Sequence, residues 1–131
     1  MPMNPRELVK AALTGKEVGR VPTGPLAVHY CARFAGATLR QYTLDPAVLA
    51  QSVVSYYRRF LPDAVWVSAD TWVNAQAMGA EVGFSDENQP AGGTGQPWVR
   101  THEDLDHIPP PDPRVQGRWP LMLEALKRIR K

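Results

Sequence analysis

The first residue of chemical interest is a carboxylate at the end of an apolar run. Residues 64–67 are apolar without alternation and lead through Ser68 and Ala69 to Asp70, after which a small-residue segment closes at Gly79. Such a run suits a strand buried on both faces, and the carboxyl ends of parallel strands are where α/β sites are built. A carboxylate fixed in a dry cleft favours a developing positive charge. The alternative is that Asp70 caps a short helix over residues 71–78, since Asp is a preferred cap. Arg33 follows a weaker strand in residues 23–29, where it could clamp an anion or simply lie on the surface. His29 and Cys31 have the spacing of two zinc ligands, but a tetrahedral site needs a third and usually a fourth. His102 and His107 lie far along the chain, so no metal site is expected within it.

These side chains need elements to position them. Asn4, Pro5 and Glu7 mark a helix start, with Leu8, Val9, Ala12 and Leu13 as its apolar face and Gly15 as its end. The first strand is expected at Leu26, Ala27 and Val28. A short helical turn from Ala37 or Thr38 to Tyr42 follows it. Asp45 and Pro46 then open the strongest helix, whose face is Leu49, Val53, Tyr56, Tyr57 and Phe60 and which ends at Pro62 and Asp63. Strand, helix and strand in that order make a right-handed parallel βαβ unit. Residues 81–84 are expected to pair with 98–100 as a hairpin around an acidic, glycine-rich loop, of which residues 86–96 would form a lid or an oligomer contact. Thr101 and Asp104 suggest a capped short helix, the prolines at 109, 110, 111 and 113 a stiff spacer, and Trp119 and Pro120 a last helix with a stripe of Met122, Ala125, Leu126 and Ile129.

Composition bounds what these elements can form. A chain of 131 residues is long enough for one domain or a piece of one. Fifteen Lys and Arg against thirteen Asp and Glu leave +2, which argues against a nucleic-acid partner, and the basic residues at 127, 128, 130 and 131 suit the last turn of a helix. The single Cys31 excludes an intrachain disulfide. With no apolar run of about 18 residues and no signal-peptide core, the expectation is a cytoplasmic protein that does not enter a membrane.

The order and spacing of several short motifs resemble one family. They are RVP at 20–22, RFAG at 33–36, the helix opened by Asp45 and Pro46, Asp63 leading to Asp70, AQAMG at 75–79, and the segment at 101–105. This arrangement is similar to the amino-terminal part of the uroporphyrinogen decarboxylase family, which also holds cobamide-dependent methyltransferases. The resemblance implies a (β/α)8 barrel, a fold that typically takes roughly 250 residues. The expected fold class is therefore α/β: an incomplete TIM-type barrel with an entry helix, the first two or so strand-helix units and a small hairpin insertion, the whole of residues 1–131 being one partial domain. By the same resemblance Asp70 is the catalytic carboxylate that accepts pyrrole N–H groups and stabilises the protonated ring as carbon dioxide leaves, with no cofactor. Arg33 matches the first arginine of a substrate-carboxylate clamp.

Two departures weigh against porphyrinogen chemistry. Ala37 stands where the clamp has its second arginine, and Asn74, Ala75 and Gln76 replace a proline-aspartate pair. The second departure brings the chain nearer the methyltransferase branch, where zinc ligands and a cobamide protein would come from outside these residues; His29 and Cys31 are not those ligands. Three readings follow. One is a barrel enzyme acting on a small-molecule substrate, inactive as this chain alone. Another is a non-catalytic half-barrel that associates with itself or with a completing chain, and the third is a product with no independent stable fold.

Overall fold

The computed structural model describes residues 3–93, 95, 97, 99–108 and 110–130. Trp98, Gln96, Pro109 and Lys131, on which parts of the expected hairpin, loop, spacer and basic end fall, lie outside the described residues. Helix starts are where local chemistry decides most. Asn4 Oδ1 accepts the Glu7 N–H at 2.9 Å and Glu7 Oε2 accepts the Asn4 N–H at 3.2 Å, so α1 (Pro5–Leu13) opens on the expected capping box. A second box, of Thr38 with Gln41, opens α3 (Leu39–Leu44). Asp45 Oδ1 takes the N–H groups of Ala47 and Val48 at 2.7 and 3.3 Å to open α4 (Pro46–Phe60), which Leu61 ends in a left-handed conformation.

The first strand is not formed. Val28 instead begins α2 (Val28–Phe34), so His29, Cys31 and Arg33 are all helical. Val28, Cys31 and Ala32 fall on one face at helical spacing; Cys31 and Ala32 are buried in the core and Val28 packs against it. Residues 64–68, expected as the second strand, belong to no helix and join no ladder. The only sheet among the described residues pairs β1 (Val82–Gly83) antiparallel with β2 (Ala91–Gly92), Val82 opposite Gly92. The hairpin's first arm is where the sequence put it. Its second arm lies inside the expected loop, and Val99 and Arg100 belong to no strand.

The core lies between α4 and the helices that flank it. Leu49, Val53 and Tyr56 of α4 meet Cys31 and Ala32 of α2, Tyr42 of α3 and Ala125 of α6 (Trp119–Ile129). Tyr57 and Phe60, expected on the buried face, are exposed, and Phe60 instead joins Tyr30, Phe34 and Tyr56 in an aromatic cluster. On α6, Met122, Ala125 and Ile129 face inward with Leu121, whereas Leu126 turns outward. No helix among the described residues is long and apolar enough to cross a membrane.

One polar clasp ties the segment at residues 20–23 to the one at 63–64. The Asp63 carboxylate accepts both Arg20 Nη groups at 2.7 and 2.5 Å and the Thr23 N–H at 2.8 Å, and the Asp63 and Ala64 N–H groups donate to Thr23 O. These bonds, that of Arg20 first, hold the Asp63 carboxyl well below the usual carboxylate range. A depressed carboxyl stabilises the fold above the unfolded value of about 4 and loses that contribution as pH falls through its folded value. Asp63→Asn should therefore lower the melting temperature at pH 7, by a margin that shrinks steadily below about pH 4. A margin unchanged between pH 7 and pH 2 would sink this account.

Candidate functional site

Asp70 ends the segment that follows α4, and neighbouring side chains hold that end in place. Tyr42 donates its hydroxyl to Ser68 O at 2.9 Å, and His29 Nε2 lies 3.0 Å from Ala69 O, with the His29 ring edge-on to Tyr42. Burial, with Cys31 and Asp70 nearby, pushes the Tyr42 phenol up, and burial does the same to the Cys31 thiol. Tyr42 thus stays a neutral donor.

The Asp70 side chain is 1% exposed and meets Arg118, itself 6% exposed, in a bidentate ion pair. Arg118 Nη1 donates to Oδ2 and Nη2 to Oδ1 at 3.1 Å, while Oδ1 also accepts the Trp72 N–H at 2.7 Å. Arg118 Nε donates to Gln76 Oε1 at 2.6 Å, and the guanidinium lies 4.9 Å from the centre of the Phe84 ring. Asp70 does not cap the following helix in the usual way. That helix, α5 (Val73–Ala77), starts after Trp72 with no side-chain cap, and Asp70 instead closes a tight turn onto Trp72.

Gly117 delivers Arg118 to this place. Its φ is +53°, and a Cβ there would fall 2.9 Å from the backbone N of Ala77 and 3.0 Å from its Cα. Only glycine lets the start of α6 approach α5 this closely. Trp119 Nε1 then donates to Asn74 Oδ1 at 2.9 Å. Between these elements is a cavity of about 320 Å³ lined by Ser68, Asp70, Thr71, Asn74, Trp119 and Met122, among others. Of roughly four acceptor positions on a carboxylate, three are taken on Asp70.

The structure does not bring Arg33 into this cluster. Arg33 lies in the last turn of α2, exposed and without a hydrogen bond among the described residues. His29 and Cys31 do not fit a metal either: His29 is engaged with Ala69 O, Cys31 is buried, and no three metal-ligating side chains converge among the described residues. The residue that sequence reading missed is Arg118, 48 positions from its partner. Its one local signal is a glycine-arginine pair just ahead of a helix, at a place where arginine makes no cap.

The model of the family described as uroporphyrinogen decarboxylase (URO-D) matches residues 4–131. A solved structure, a methyltransferase from Methanosarcina mazei, superposes with a TM-score of 0.78 at 27% identity over 98% of this chain. The chain spans 38% of that protein's length. Among curated proteins none matches.

Proposed function

The chain belongs to the uroporphyrinogen decarboxylase family, and from that premise we propose that it builds one wall of a (β/α)8-barrel enzyme whose reacting centre lies at Asp70 and whose reaction is methyl transfer. The observation that carries this reading is the buried Asp70–Arg118 pair. Decarboxylation of a carboxylated tetrapyrrole asks a carboxylate to favour a cationic ring. A guanidinium that meets both carboxylate oxygens cancels most of that field. Ala37 points the same way, since a substrate with many carboxylates calls for several guanidinium forks.

In this reading Asp70 and Arg118 act as one rigid polar unit. Asp70 offers its remaining acceptor position to a polar group of a small substrate in the cavity, and Arg33 binds an anionic group at the barrel mouth. A zinc and a cobamide protein would supply the methyl-transfer chemistry, with ligands from beyond these residues. The remaining wall comes from residues beyond these 131, and the buried Cys31 suits a reducing cytoplasm. Decarboxylation is the second reading, favoured by the exposed guanidinium of Arg33 on a chain whose Asp70 lines a cavity.

The test is a chimera in which residues 4–130 of this chain replace the matched part of the Methanosarcina mazei methyltransferase, assayed for methyl transfer to a thiol and for loss of carbon dioxide from a porphyrinogen. Asp70→Asn alone leaves Arg118 charged and unpaired, so the informative variant is the double substitution Asp70→Asn with Arg118→Gln. It should keep the fold and lower turnover on the order of 100-fold or more. Undiminished turnover in the folded double variant would remove Asp70 from the reacting centre.

A further inference from the structure

Val28 has a φ of +24°, a backbone conformation that a β-branched residue holds only where its surroundings over-determine it. The other non-glycine residue with positive φ among the described residues, Leu61, ends α4, where a left-handed turn is ordinary. Val28 instead begins a helix, and nothing local asks for strain there: α2 has no side-chain cap. Two tight turns meet at this point, since Ala27 donates its N–H to Pro25 O at 3.0 Å and accepts that of Tyr30 at 2.7 Å. What the strain secures is the place of the next side chain. His29 Nε2 reaches Ala69 O at 3.0 Å, and the imidazole stands edge-on to the Tyr42 ring with 6.1 Å between centres. Ala69 is fully buried, so its carbonyl needs a donor, and no other donor reaches it among the described residues. A carbonyl oxygen only accepts. In the neutral ring Nε2 therefore carries the proton and Nδ1 the lone pair.

We infer that His29 is a positioning residue for Asp70: the strained turn at Val28 aims its Nε2–H at the Ala69 carbonyl, and that bond fixes where the next residue holds its carboxylate. This role rests on the proposed reading of Asp70 as the reacting centre and adds to it the group that sets its place. Three successive residues are each held from a different element. Ser68 O takes the Tyr42 hydroxyl from α3, Ala69 O takes the His29 ring from α2, and the Asp70 carboxylate takes Arg118 at the start of α6. The Ala69 carbonyl belongs to the peptide that joins Ala69 to Asp70, so losing the His29 bond lets that peptide turn and moves the carboxylate with it. A histidine that merely filled space would need no strained valine beside it.

The Trp72 N–H donates to Asp70 Oδ1 at 2.7 Å, so its hydrogen exchange reports where the carboxylate stands without reference to turnover. In the 131-residue chain, His29→Leu should speed exchange at Trp72 on the order of 10-fold and leave the amides of α4 unchanged. His29→Gln, whose side-chain amide can donate to the same carbonyl, should restore the protection. In the chimera, His29→Leu should lower kcat on the order of 100-fold with little change in KM, and His29→Gln should recover most of it. Unchanged exchange at Trp72 in His29→Leu would overturn the inference, and so would equal loss of protection at Trp72 and throughout α4, the mark of a residue that serves stability alone. The native chain supplies a check that needs no variant: nitrogen-15 shifts of the neutral His29 ring should show a protonated Nε2 and a bare Nδ1, and the opposite tautomer would overturn the inference. Faster exchange at Trp72 with undiminished turnover would uphold the placing of Asp70 by His29 and count against Asp70 as the reacting centre.

Discussion

Arg118→Met should lower the unfolding free energy of the chain by about 3–5 kcal/mol, because it strands an ionised Asp70 whose side chain is 1% exposed. Against a total of about 5–15 kcal/mol for an ordinary domain, that is a large fraction of the stability. The cost comes from the partner left behind: removing both charges, as in Asp70→Leu with Arg118→Met, should recover most of it. Urea denaturation followed by circular dichroism, at low and high salt, separates this pair from an exposed one. A buried pair is screened little, so the loss should be nearly the same in both. The Arg20–Asp63 clasp, in which Arg20 is 58% exposed, should weaken visibly with salt. A loss below about 1 kcal/mol for Arg118→Met would put the pair among ordinary surface bridges.

Tyr42→Ala should cost about 3–5 kcal/mol, the range for emptying a large, fully buried aromatic site. Tyr42→Phe keeps the ring and removes only the hydroxyl, which leaves Ser68 O without its donor at a cost of about 1–3 kcal/mol. The two variants together divide packing from hydrogen bonding. They also predict a pH effect of opposite sense to that of Asp63. Burial raises the Tyr42 phenol in the fold, so its contribution is complete below the unfolded value of about 10 and is lost as pH rises through the folded one. Melts of the native chain should fall more steeply above about pH 10 than those of Tyr42→Phe. Identical alkaline slopes would mean that Tyr42 ionises as freely folded as unfolded.

What the sequence disclosed follows from how far apart the deciding groups lie. Asn4 with Glu7, Thr38 with Gln41, and Asp45 with Ala47 act within four residues, and the helices they begin are where the sequence places them. Strands depend on distant backbones. Leu26 to Val28 had strand-like composition, but Val28, Cys31 and Ala32 share a helical face and the core took that face. Residues 64–67 pair with no second backbone among the described residues and so form no strand. The hairpin's second arm is Ala91 and Gly92 instead of Val99 and Arg100, and glycine there lets Trp72 pack against the turn: a Cβ on Gly92 would meet the Trp72 ring at 2.5 Å. Asp70 was legible because a strand-end acid is a local pattern. Arg118 was not, because nothing near residue 118 announces a carboxylate 48 positions earlier.

That separation also bears on how the chain tolerates breaks and changes of length. The ion pair of Asp70 with Arg118, helped by Gln76 and by Trp119 on Asn74, fastens both ends of one long excursion that carries the hairpin and the 3-10 helix at Glu103–His107. Closing a longer excursion costs only about 0.6 kcal/mol for each doubling of its length, so residues can be added or lost between β2 and Pro113 with little effect on the core. A protease that cuts there would leave two pieces still joined through α5 and α6, which run as separate bands under denaturing conditions and as one particle in native buffer. The excursion is thus the natural place to split the chain into two co-expressed halves or to insert a reporter domain.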